Sequence, residues 1–135
     1  MIVFKDLSDG LAEAHKFLSY NKATFEAPVG LEQVRSLPGM SAKSNFSFGY
    51  NVGQLEILLE INDLETHKVL PKFWQQAVGV TIPRKTSPKE RKSITANRAL
   101  ELYPFADLFG PRGGLKDGRA DALMIAHYMY LRSQR

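Results

Sequence analysis

Asp117 and Asp121 stand four residues apart at the mouth of an apolar run, Ala120-Asp121-Ala122-Leu123-Met124-Ile125-Ala126. A helix starting at or just before Asp117 projects both carboxylates from one face, one turn apart. Like charges that close repel, and an apolar surface lies beside them. A compensating benefit is therefore expected, such as a divalent cation or shared acid–base work. Glu26 is the third carboxylate of interest, because Ala23–Ala27 reads as an apolar strand ended by Pro28, where an unpaired carboxylate is costly. A strand carboxylate plus two on a helix packed against the sheet form a hard, oxygen-rich site suited to Mg²⁺ or Mn²⁺. Sites of that kind activate water and stabilise both oxygens of an in-line phosphoryl displacement. The plainer arrangement puts Glu26 at a solvent-facing strand edge, Asp117 at a helix cap and Asp121 against a Lys or Arg. For carboxylates taken singly that is the commoner outcome.

Two further segments can serve a polyanion. Arg84, Lys85, Lys89, Arg91 and Lys92 surround the start of a helix, whose free N–H groups and positive dipole end already favour phosphate. An isolated charge run is more often a solvated helix face; beside a carboxylate metal site it becomes a track for backbone phosphates. Phe46-Ser47-Phe48-Gly49-Tyr50, followed by Gly53, opens a long helix. Its aromatics can stack on bases or wedge between them, although such residues more often fill a core or a dimer seam. Trp74 reads as packing. His15, His67 and His127 form no ligand-spaced set, and no serine-hydrolase elbow, phosphate-binding loop or dinucleotide fingerprint occurs.

The elements that position these groups read as one α/β domain over residues 1–135. Ile2–Phe4 reads as a short strand. Asp9 caps a helix from Gly10 to Ser19, and Ser36–Ser41 is turn-rich. A helix over Asn45–Ile61 carries Gly49 and Gly53 on one face; two glycines four apart lower helix propensity, so close approach by a sheet or partner helix is expected. His67–Leu70 is a short strand, and Pro71 opens a helix stopped by Gly79. Ser87-Pro88-Lys89-Glu90 is a capping box for a helix ending before Pro104. A loop with Gly110, Gly113 and Gly114 then leads to a final helix, Gly118–Leu131. Strands alternating with helices favour a layered α/β fold.

Composition sets the outer bounds. The 135 residues suffice for one compact core, and the 44% hydrophobic content is that of a folded domain. There is no cysteine, so disulfides and thiolate metal sites are excluded and a reducing, cytoplasmic setting is expected. No run is long enough for a membrane span or patterned as a signal peptide. Residues 1–83 hold 7 Lys/Arg against 9 Asp/Glu, and residues 84–135 hold 11 against 5. The basic half, with a pI near 9.4, is compatible with a polyanionic partner.

In order along the chain, the landmarks are Phe25-Glu26, Pro38-Gly39-Met40-Ser41, Phe46-Ser47-Phe48-Gly49 with Gly53, and Val69-Leu70-Pro71 with Trp74. Ser87-Pro88-Lys89, Leu102-Tyr103-Pro104 and Asp117-Gly118-Arg119-Ala120-Asp121-Ala122-Leu123 follow. Together they resemble the RuvC-like Holliday junction resolvases of phages, bacteria and organelles, within the RNase H-like nuclease superfamily. The match runs from about Ala23 to Tyr128. The resemblance implies an RNase H-like mixed sheet flanked by helices. It also implies a homodimer using Mg²⁺ or Mn²⁺ to nick four-way DNA junctions in recombination or repair, in a bacterial or phage-infected cytoplasm. Glu26 is similar to the family's second acidic ligand, and Asp117 and Asp121 to its final pair. The Gly49/Gly53 helix would contribute to the dimer interface. Phe46, the basic segment, Lys116 and Arg119 would face DNA.

Two features depart from that pattern. The family opens with a strand bearing the first metal-binding Asp, followed by a glycine turn and two antiparallel strands, whereas only 25 residues precede Glu26 here. Met1–Lys5 is then expected to be the third strand, with the fold shortened at its start and the first Asp missing. Gln75 stands where a lysine commonly follows the tryptophan. Losing one carboxylate weakens charge compensation at a cation site. The alternative is therefore a catalytically silent relative that binds branched DNA or a protein without cleaving. An unrelated basic α/β domain would show no convergence of the three carboxylates.

Overall fold

The computed structural model describes residues 11–24, 28–36 and 38–134, apart from the side chain of Asp117. Helix α1 (Leu11–Asn21) ends in a 3₁₀ turn, Lys22–Thr24, before strand β1 (Val29–Glu32). Helix α2 (Ala42–Ile61) crosses back to strand β2 (Thr66–Val69), and α3 (Pro71–Val78), α4 (Pro88–Leu102) and α5 (Asp117–Ser133) complete the chain. The strands pair in parallel, with Val29 opposite Thr66 and Glu32 opposite Val69. Parallel partners need a long crossover, and α2 supplies it. The mixed α/β expectation is therefore met, in a helix-rich form whose sheet among the described residues has two strands. No helix among them is long and apolar enough to cross a membrane.

Local chemistry sets most boundaries. Ser41 caps α2, its hydroxyl accepting from the Ser44 N–H at 3.1 Å, so the helix starts three residues ahead of the expected Asn45. Pro71 opens α3, and Gly79 closes it in the left-handed region, at φ 79°. The Ser87 capping box forms as read: its hydroxyl accepts from the Glu90 N–H at 3.2 Å, and the Ser87 N–H donates to the Glu90 carboxylate at 3.3 Å.

One strand falls elsewhere than expected. Thr24 lies in the 3₁₀ turn, and among the described residues pairing begins after Pro28, where the Val29 N–H donates to the Glu65 carbonyl at 2.8 Å. Proline cannot donate to a ladder, yet it can precede one. The glycine beside it reads as a turn, but Gly30 is in the strand because a helix lies against it. A Cβ there would sit 2.7 Å from both Ile125 Cγ2 and Met129 Cγ of α5. The expected strand Ile2–Phe4, the Asp9 cap and residues 25–27 lie outside the described residues.

Alternation along β1 gives the sheet two covered faces. Val29 and Leu31 pack with Phe17 and Leu18 of α1 and with Leu55, Leu58 and Leu59 of α2. Gly30 faces α5. On that second side is the larger core: Trp74 and Val78 of α3, Ala96 and Ala99 of α4, Leu108, and Ala120, Leu123, Met124 and Met129 of α5. The smaller side carries a buried polar tie. Asn62 donates to the Leu58 carbonyl at 2.7 Å, accepts from the Ser19 hydroxyl at 2.7 Å, and meets His15 Nδ1 at 3.2 Å. A buried amide satisfied in this way locks α1 to the end of α2.

Candidate functional site

The two aspartates occupy the first turns of α5, as their spacing requires. Asp121 is half-buried, and Asp117 is the first residue of the helix. Lys116 takes the cap position without a side-chain cap bond, so Asp117 does not serve as the N-cap. Glu26 lies outside the described residues. Among the described residues no three His, Cys, Asp or Glu side chains cluster closely enough to hold a metal ion. Glu26 and the Asp117 side chain are not among them.

A carboxylate passed over in the sequence stands on a strand packed against α5. Glu32 is the last residue of β1 and half-buried. It shares the β1 face of Gly30, the face covered by α5. Its Oε1 accepts from the indole Nε1 of Trp74 at 3.1 Å. Trp74 is 1% exposed, so the donor is fixed by packing. Such a bond orients the carboxylate and leaves Oε2 for another partner. Ligands in open α/β sheets gather outside the carboxyl ends of strands, which is where Glu32 stands. The signal in the sequence was Leu31-Glu32-Gln33, an acid closing an apolar pair ahead of a turn-rich segment; Pro28 and Gly30 hid it.

The loop between α4 and α5 holds the start of α5 in place. Leu108 is completely buried, Phe109 pairs with Leu115 in a short antiparallel bridge, and the Lys116 N–H donates to the Leu108 carbonyl at 2.8 Å. Arg119, between the aspartates in sequence, turns towards this loop. It donates to the Phe109 carbonyl at 3.1 Å and pairs with Asp107 at 3.2 Å. Its guanidinium is thus committed to the loop, whereas Lys116 is exposed and lies over Gly110.

The remaining DNA-facing candidates are at the surface. Arg84, Lys85, Lys89, Arg91 and Lys92 are all exposed around the start of α4. That is the opposite end of α4 from the loop leading into α5, about 20 Å away by helix rise. Phe46 is 75% exposed and stacks on Tyr50 with centroids 6.3 Å apart, which removes the core as its role within this chain. Nothing lies within 4 Å of a Cβ built at Gly49 or Gly53. The close approach expected there does not come from the two described strands.

A second polar group joins α4 to α5. The Tyr103 hydroxyl and His127 Nδ1 are 2.7 Å apart, with the rings edge to face. Burial, aided by the Arg98 charge, holds the His127 pKa below the ordinary histidine value; burial, aided by Tyr130, raises that of Tyr103. Both shifts favour the neutral pair.

No protein-family model matches the chain, and no curated protein sequence matches it significantly.

Proposed function

We propose that the chain is an RNase H-like, RuvC-type endonuclease domain that hydrolyses phosphodiesters in four-way or other branched DNA. The observation that carries this reading is the placement of α5 across β1. It packs Ile125 and Met129, one and two turns beyond Asp121 on the same helix, against the strand that ends in Glu32. The order of motifs along the chain supports the same conclusion.

Mg²⁺ or Mn²⁺ fits an all-oxygen donor set of this kind. The cation supplies water activation and charge neutralisation at the scissile phosphate. Asp117 and Asp121 would hold it together with a strand carboxylate, Glu32 or Glu26. Trp74 would keep Glu32 in one orientation. The exposed cations of residues 84–92, with Lys116, would bind backbone phosphates, and Arg119 would fix the loop that positions Asp117. The open surface of α2 around Phe46, Gly49 and Gly53 would meet DNA and a second copy of the chain.

The test is nicking of a synthetic four-way junction with Mg²⁺ or Mn²⁺. Asp121→Asn is expected to abolish nicking while preserving the fold, because the residue is half-buried and the amide is isosteric. Glu32→Gln and Glu26→Gln, tested separately, identify the strand ligand by which one removes cleavage. A folded protein that never nicks with either metal overturns the enzyme; if it still binds junctions in a salt-dependent manner, the silent-relative alternative takes its place.

A further inference from the structure

Phe105 is fully exposed, the most exposed large apolar side chain among the described residues, and Phe109 on the same loop is 44% exposed. Holding such rings in one place costs conformational entropy, which a braced loop has already offset. This loop is braced at several points. The Ala106 N–H donates to the Tyr103 carbonyl at 3.0 Å, and Leu108 is buried as an anchor. Gly110 donates to the Gly114 carbonyl at 2.7 Å, and Arg119 grips the Phe109 carbonyl from α5. The rings are presented outward by a scaffold that is itself held still.

Charge completes the description. Arg112 and Lys116 are exposed on this loop, and its one acid, Asp107, is paired with Arg119. Exposed rings on a braced loop that also carries two exposed cations match a partner that combines flat π faces with negative charge. Unpaired nucleotides have both; duplex DNA hides its base faces by stacking.

We propose that Phe105, aided by Phe109, is a stacking platform for unpaired bases, carried on the loop that leads into α5, the helix bearing Asp117 and Asp121. The platform deepens the nuclease reading and rests on it for its location, but base stacking can be measured without cleavage. A ring that stacks on a base gains affinity that an aliphatic side chain of similar size does not supply.

The experiment is equilibrium binding of the full chain, in EDTA, to a 20-nucleotide single strand containing 2-aminopurine and to a blunt duplex of the same sequence. Phe105→Leu is expected to lower single-strand affinity about 10-fold or more, with duplex affinity unchanged within about twofold and with loss of the 2-aminopurine quenching. Phe105→Tyr is expected to restore both. The slope of log affinity against log salt should be unchanged in either variant, since no phosphate contact is removed, and should become shallower in Lys116→Ala. Equal affinities for all three side chains, or equal losses on single strand and duplex, overturn the platform. So does a change in sedimentation without DNA, which would make Phe105 a protein contact. Single-strand binding through Phe105 without any nicking would leave the platform standing and remove the nuclease; nicking with an indifferent Phe105 would do the reverse.

Discussion

The two ends of the protein's helical framework are built on opposite terms. Around α5, side chains interlock from every direction: Trp74, Leu108 and Met124 are almost completely buried, and Gly30 leaves no room for a methyl group. The first half of α2 has no such surroundings. Phe46, Phe48 and Tyr50 are exposed, no neighbour within 4 Å would meet a Cβ at Gly49 or Gly53, and full burial is reached only at Leu58. Apolar area in the first region stabilises the fold; in the second it stays exposed to solvent. A carboxylate site needs the rigid region, because ligand geometry must be fixed by packing. A recognition surface can stand on the open one.

The contrast is tested most severely by matched truncations. Trp74→Ala should destabilise the chain by about 3–5 kcal/mol, whereas Phe46→Ala should lie within about 0.5 kcal/mol of the parent. Urea denaturation at low protein concentration measures both. A comparable loss at Phe46 that grows with protein concentration would show that a second copy covers α2. The glycines give a smaller effect with opposite signs. Gly30→Ala drives a methyl into Ile125 and Met129 and should cost about 1–3 kcal/mol, while Gly53→Ala should stabilise the isolated chain by about 0.5–1 kcal/mol. If α2 packs against a second copy through Gly53, the same substitution weakens the dimer, and sedimentation separates the two effects.

The smallest expected effect is the pH dependence of the Tyr103–His127 pair. The folded chain holds His127 below its ordinary value, so at mildly acidic pH the unfolded chain binds the extra proton more readily. Stability is therefore full above pH about 6.5, falls below it and levels off once the pH passes beneath the lowered folded value. Tyr103→Phe removes the hydroxyl partner, and the stability profile against pH should change shape in that window while α2 variants leave it unaltered. A Tyr103→Phe profile identical to the parent would show that the pair is not what sets the slope.

What could be read in the sequence follows from how local its causes are. The Ser87 capping box, Pro71 with Gly79 and the α5 run depend on residues a few positions apart, and each appears where its pattern places it. Strand β1 is decided at long range. Its ladder partner is β2, and Gly30 is explained by two side chains of α5 almost a hundred positions away. Nothing near Pro28 announces either, so the pairing of Val29–Glu32 was not expected. The place of Asp117 and Asp121 in the first two turns of α5 was legible because helical spacing alone decides it. The commitment of Arg119 to the loop carbonyls was not, since a cation beside two acids reads equally well as a phosphate ligand.

The bond from Trp74 to Glu32 also gives the molecule an optical voice. Trp74 is the only tryptophan in the chain, so all indole emission comes from one buried ring whose single N–H donor rests on that carboxylate. Whatever draws the carboxylate towards itself, a cation or a proton, alters the polarity at the ring's edge and with it the emission wavelength. Titrating the unlabelled protein with Mn²⁺ or Mg²⁺ and watching that one band would therefore report on the strand carboxylate directly, before any DNA is added.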